Sequence, residues 1–163
     1  MKHPQPLHAL VVEDHTPLRD QIVALLRHAG HRADEASSGR MALQMALEQP
    51  PDVLLLDIGL PELDGLGLCR LLRARCERHV PVLMLLDRQA DMHLARRSGA
   101  EGWLVKPLDA LRLRRATDAI LAGGTYTEGL AADAAPVEPM VPLPVGDAGD
   151  SENSSEEQPA TAG

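Results

Sequence analysis

Four ionisable residues follow apolar runs in a way that would gather them on one edge of a folded chain. Glu13 and Asp14 follow Leu7–Val12, Asp57 follows Val53–Leu56, and Lys106 follows Trp103–Val105. Crowded carboxylates raise one another's pKa unless a cation sits among them. Hard oxygen ligands of this kind suit Mg2+, which takes one or two protein carboxylates together with water and phosphate oxygens. The chemistry this allows is phosphoryl transfer, in which one carboxylate attacks phosphorus while Mg2+ and the lysine hold the other oxygens. Composition draws attention to the lysine as well. Of 16 Lys and Arg residues only Lys2 and Lys106 are lysines, and an ammonium differs from a guanidinium in being a compact point charge.

The elements that must position these residues are legible in the hydrophobic pattern. Leu7–Val12 reads as a strand, and Leu18, Ile22, Leu25, Leu26 and Ala29 then form a helical stripe from Thr16 that Gly30 stops. His31–Ala36 reads as a second strand, and Ser37-Ser38-Gly39 caps a helix over Arg40–Gln49. Val53–Leu56 is apolar throughout, as a strand buried on both faces would be. The turn cluster Pro61–Gly65 precedes a helix over Leu66–Arg75, Val80–Leu86 is a fourth strand, and a helix covers Gln89–Ser98 up to Gly99. Trp103–Val105 is the last strand, and Asp109 caps a helix to Ala122. Five strand–helix units in strict alternation predict an α/β fold, a doubly wound parallel sheet with helices on both faces. In such sheets function collects at the carboxyl ends of the strands, where all four ionisable residues fall.

Charge and composition exclude several functions. The net charge is −8, yet residues 1–122 hold 16 acids and 16 bases, and the whole excess lies in 123–163, which has eight acids and no Lys or Arg. Such a segment cannot neutralise nucleic-acid phosphates. With no Phe, one Tyr and one Trp, stacking platforms for bases or flavins are excluded too. Cys69 and Cys76 cannot form a disulfide framework or a four-ligand zinc site and read as reduced thiols. No run approaches the length of a membrane span, so a cytoplasmic protein is expected. Pro136, Pro139, Pro142 and Pro144 and the Ser, Glu and Gly content of 146–163 predict a disordered tail over 123–163 after a domain over 1–122.

Several ordered motifs carry a family resemblance over about residues 7–122. They are Val11-Val12-Glu13-Asp14-His15, Leu54-Leu55-Leu56-Asp57-Ile58-Gly59-Leu60-Pro61, Asp64-Gly65, Val80-Pro81-Val82, Gly99-Ala100-Glu101 and Trp103-Leu104-Val105-Lys106-Pro107. The chain resembles the receiver domain of two-component response regulators. The resemblance implies a flavodoxin-like strand order 2-1-3-4-5 with five helices. It implies Asp57 as phosphoacceptor, with Glu13, Asp14, Asp57 and the carbonyl of Gly59 holding Mg2+. It also implies Lys106 as the phosphoryl contact, with a cis bond to Pro107. The donor would be a sensor histidine kinase or phosphotransfer protein, and no separate substrate turnover is expected. A haloacid-dehalogenase-type phosphatase would need a second Asp where Gly59 stands.

One departure concerns the switch. The family has Thr or Ser at the end of the fourth strand and then a small residue, whereas here Leu86 and Asp87 stand, and no Ser or Thr occurs between Ser38 and Ser98. Leu86 cannot donate the hydrogen bond that draws the loop to the phosphoryl group, and Asp87 is expected to repel that group. Trp103 fills the aromatic switch position. Phosphorylation without the usual conformational shift is therefore expected, the alternative being a phosphorylation-independent adaptor. The junction Ala119–Tyr126 resembles that of regulators continuing into a helix-turn-helix domain, but the 37 residues after Tyr126 lack that pattern. A stand-alone receiver is expected, without DNA or membrane binding. Its partner would dock on the fourth helix, fifth strand and fifth helix, where Arg96, Arg97, Arg112, Arg114 and Arg115 supply positive charge.

Overall fold

The computed structural model describes residues 5–128; residues 1–4 and the stretch 129–163, most of the segment expected to be disordered, lie outside them. Runs of Val and Leu alternate with amphipathic stretches, and the chain folds accordingly. The order is β1 (His8–Val12), α1 (Thr16–His28), β2 (Arg32–Ala36), α2 (Gly39–Glu48), β3 (Val53–Asp57), α3 (Gly65–Arg75), β4 (Val82–Leu86), α4 (Met92–Ser98), β5 (Gly102–Val105) and α5 (Ala110–Leu121). The strands form one parallel sheet in the order β2-β1-β3-β4-β5, the flavodoxin-like arrangement expected.

Side chains alternate across a strand, and both faces of this sheet are covered. Leu10, Val12, Leu54, Leu56, Met84 and Leu86 pack with residues of α2, α3 and α4. Val11, Val53, Leu55, Leu83, Leu85 and Leu104 pack with residues of α1 and α5. This double burial explains why β3 and β4 read as unbroken apolar runs. Side-chain caps start three helices where the sequence marks them: Ser38 accepts from the Met41 N–H, Asp64 from Gly67 and Asp109 from Arg112.

Two boundaries differ from expectation by more than one residue. β4 begins at Val82, because Pro81 has no N–H for the ladder and contributes only its carbonyl, which accepts from the Leu54 N–H at 2.9 Å. The helix expected over Gln89–Ser98 divides into a 3-10 turn, Gln89–Asp91, and the short α4. Gly99 ends α4 with φ 75°, the left-handed closure that glycine permits. Of Arg70, Arg73, Arg75 and Arg78 in and after α3, Arg73 pairs with Glu101 and Arg78 with Asp52, so two of the four tie loops together. Both cysteines are free. Burial pushes the Cys69 thiol up to about 11, as befits an unreactive core residue.

The chain does not leave the body at the end of α5. It returns along the open edge of β5, where the Tyr126 N–H donates to the Glu101 carbonyl at 3.1 Å and the Trp103 N–H to the Tyr126 carbonyl at 2.9 Å. Gly102 makes this approach possible: a Cβ there would collide with the Tyr126 carbonyl and stand 3.1 Å from Ile120 Cδ1. Gly102→Ala is therefore expected to cost about 1–3 kcal/mol through overpacking and to strip residues 125–128 from the edge. Chemical denaturation measures the first effect, and loss of hydrogen-exchange protection at the Trp103 N–H the second.

Candidate functional site

Sheet order and register determine what meets at the carboxyl edge. The order reverses between β1 and β3, which leaves a crevice beyond their ends. Val12 pairs with Leu56, so Glu13 and Asp14 emerge beside Asp57. Leu86 pairs with Val105, so Asp87 and Lys106 emerge together. Carboxylate oxygens of Glu13, Asp14 and Asp57 lie within 4.8 Å of one another. Glu13 and Asp57 are only 1% and 3% exposed, whereas Asp14 faces solvent. The four residues singled out by spacing are thus brought to one place.

Lys106 is the centre of this site. Its Nζ stands 3.1 Å from Glu13 Oε2, from Asp57 Oδ1 and from Asp87 Oδ1. Burial works against the ammonium, but the charge of Asp57 and the close carboxylates of Asp87, Asp57 and Glu13 outweigh it and hold Lys106 above its usual range. Glu13 moves the opposite way to a paired carboxylate. Burial raises its pKa and the charge of Asp57 adds to that, against the His15 N–H and Lys106. The ammonium lies off the hydrogen-bonding direction of Glu13 Oε2, so this buried oxygen has a charge neighbour but no hydrogen-bond donor.

Three carboxylates therefore share one ammonium with Asp14 close by, and one buried carboxylate oxygen lacks a donor. That is the electrostatic deficit a divalent cation would fill, and three clustered oxygen ligands suit Mg2+. The backbone at Gly59 borders the same space: a Cβ there would stand 3.7 Å from Asp87 Oδ2 and 3.8 Å from Asp57 Oδ2. His15 is exposed and contributes its backbone N–H, 3.1 Å from Glu13 Oε1. The Lys106–Pro107 bond is cis.

The switch positions are arranged as follows. Leu86 is fully buried at the end of β4 and, like Trp103, belongs to the core on the α2–α3–α4 face. Trp103 is 3% exposed. Asp87, expected to act through repulsion, is also an ion-pair partner of Lys106, a contact that spacing alone does not reveal. Arg112, expected to lend positive charge to a docking surface, is engaged by Glu128. Glu128 was not singled out by its sequence, and no motif marks it; the only signal is an isolated acid a few residues beyond Gly123-Gly124.

The response regulator receiver domain model matches residues 9–118. The transcriptional regulatory protein AfsQ1 of Streptomyces coelicolor is 34% identical over 117 residues, spanning 71% of this chain and 51% of AfsQ1. Protein PilH of Pseudomonas aeruginosa is 32% identical over 117 residues, spanning 70% of this chain and 97% of PilH. Among solved structures, the receiver domain of the P. aeruginosa sensor histidine kinase PA1611, with a magnesium ion coordinated in its active-site cleft, superposes with a TM-score of 0.65 at 32% identity. The match covers 72% of this chain and 96% of that one. The chain spans about half the length of the transcriptional regulators it matches.

Removing the shared cation tests the electrostatics directly. Lys106→Met leaves Glu13 and Asp57 buried without it. Stability should fall by about 2 kcal/mol, less than the ~3–5 of a fully buried pair because Lys106 keeps some solvent contact. Mg2+ should recover part of the loss by binding the folded state. Thermal melts with and without Mg2+ read both effects.

Proposed function

Because this chain belongs to the response regulator receiver domain family, we propose that it accepts a phosphoryl group on Asp57 from the phosphohistidine of a sensor kinase or phosphotransfer protein. It then signals through protein–protein contact. The observation that carries this reading is Lys106, held at 3.1 Å from both Asp57 Oδ1 and Glu13 Oε2 beside Asp14. The proposal includes a cytoplasmic location and no direct contact with DNA or membrane; no helix among the described residues is long and apolar enough to cross a membrane.

Glu13, Asp14, Asp57 and the Gly59 carbonyl would hold Mg2+, which when bound offsets the charge of the carboxylates and of the phosphoryl oxygens. Asp57 Oδ1 is engaged by Lys106, which leaves Oδ2 as the nucleophile. An O–P bond forms as the P–N bond of the phosphohistidine breaks, and the electron pair returns to the imidazole. Lys106 turns from Asp87 to a phosphoryl oxygen and holds it, a positioning role of the kind on which phosphoryl transfer depends. The product is an aspartyl phosphate on the chain itself, so there is no separate substrate to turn over.

Leu86 supports an altered switch. A buried leucine replaces the hydroxyl donor, which removes a charge-assisted hydrogen bond of about 1.5–3 kcal/mol from the phosphorylated state. A ligand moves a two-state equilibrium only by its differential affinity for the two states. The second reading, an adaptor that docks whether or not it is phosphorylated, is favoured by Leu86, a buried apolar side chain where the switch hydroxyl belongs.

Incubation with Mg2+ and a small phosphodonor is expected to add one phosphoryl mass to the wild type and none to Asp57→Asn. No Asp57-dependent adduct would leave the adaptor reading. Asp87→Asn removes the competitor for Lys106, and beryllofluoride, a phosphoryl analogue, should then bind about two- to fivefold more tightly, the range of a half-exposed ion pair. Titration by mass or Trp103 fluorescence measures it.

A further inference from the structure

One side chain holds the backbone on both sides of Lys106. Arg112, in the first turn of α5, donates from Nη2 to the Val105 carbonyl at 2.9 Å and from Nη1 to the Pro107 carbonyl at 2.8 Å. Glu128 in turn holds this guanidinium. Arg112 Nε donates to Glu128 Oε1 at 2.7 Å, and Nη2 reaches Oε2 in the second arm of the fork. Glu128 Oε2 also accepts from the Val105 N–H at 3.0 Å, and the Glu128 carbonyl accepts from the Trp103 indole N–H at 3.0 Å. One acid beyond α5 therefore touches the residue before Lys106, the guanidinium that straps Lys106 in place, and the buried aromatic of β5.

The charges of this cluster are well matched. Hydrogen bonding to Glu128 raises the pKa of Arg112. Burial opposes ionisation of Glu128, but Arg112 and the Val105 N–H outweigh it and lower its pKa. Without Glu128, Arg112 would keep only carbonyl acceptors and the half-exposed Asp109. A guanidinium with a solvated alternative would no longer be confined to the Val105 and Pro107 carbonyls, and the backbone carrying Lys106 would lose its brace.

We propose that Arg112 and Glu128 are positioning residues for Lys106, so that docking of residues 125–128 on β5 and phosphoryl occupancy of Asp57 favour each other. The inference rests on the phosphoacceptor reading above. Coupling between two sites is reciprocal. A docked C-terminal segment tightens the phosphoryl site, and a phosphoryl group tightens the docked segment. An output partner that pairs with the edge of β5 must first displace residues 125–128, and in doing so it loosens the grip of Lys106 on the phosphoryl group. By this route signal output and phosphoryl retention are tied without the hydroxyl that Leu86 has replaced.

The test uses the full chain and its single tryptophan. Wild type and Glu128→Gln are titrated with beryllofluoride at saturating Mg2+, with Trp103 fluorescence and hydrogen exchange at residues 101–106 and 125–128 as readouts. Glu128→Gln should need about 5- to 20-fold more beryllofluoride, within the usual range of coupling between sites. Its far-UV circular dichroism and its hydrogen exchange in β1 and β3 should match the wild type, which general damage to the fold would not allow. In the wild type the analogue should slow exchange of the Trp103 N–H. Arg112→Lys, which keeps the charge but loses the two-carbonyl brace, should show the same rise in beryllofluoride demand, and it serves if Glu128→Gln does not fold. Equal midpoints for wild type and either folded variant, with exchange unaffected by the analogue, would overturn the coupling and leave the phosphoacceptor reading intact. A wild type that binds no beryllofluoride and forms no Asp57 adduct would overturn both.

Discussion

The structure depends on one electrostatic constraint: two nearly buried carboxylates, Glu13 and Asp57, placed side by side at the switch point of a parallel sheet. Two such charges are unfavourable together in a low-dielectric setting unless a cation accompanies them. Lys106 is that cation, and its position is determined by the pairing of β5 with β4 and by the Arg112 strap behind it. The remaining deficit, with Asp14 and Asp87 at the rim, disposes the site to take a divalent cation and an anion together.

The end of β4 departs from the family pattern, and both halves of that departure have a physical consequence. Leu86 completes an apolar core that already includes Trp103, so the aromatic is buried by packing with no polar lever beneath it. Asp87 lends a carboxylate to the same ammonium that a phosphoryl oxygen would claim. In the proposed reading, a competition for one lysine on the inner side and a clamp on the outer side stand in for the usual chain of hydroxyl, loop and aromatic. Trp103 lies between the two, packed into the core through its ring and tied to the Glu128 carbonyl through its indole N–H.

The acidic character of the chain also resolves into two parts. Among its last 41 residues (123–163) the acids outnumber the bases by eight, a surplus that argues against phosphate backbones as partners. Glu128 is the one acid of that stretch within the described residues, and it is an ion-pair partner of α5. A residue that composition assigns to a solvated segment accepts from the N–H of Val105, the residue before the lysine at the site.

The strand–helix alternation, the doubly covered sheet and the edge that carries Glu13, Asp14, Asp57 and Lys106 were legible in the sequence, because they depend on local periodicity and on residues flanking apolar runs. The caps Ser38 and Asp109 were legible for the same reason, and Asp64 only as part of a turn cluster. The division of the helix after Asp87 was not legible, since it depends on which neighbours supply hydrogen bonds, whereas the start of β4 follows from Pro81 itself. The sequence by itself determined the fold class and the set of acids and the lysine that could do chemistry. Only the tertiary structure decided that Asp87 shares Lys106 and that Glu128 clamps Arg112 against the backbone around it. Those two contacts join residues far apart along the chain, and neither periodicity nor composition specifies which charges the register of β4 and β5 and the path beyond α5 bring within reach.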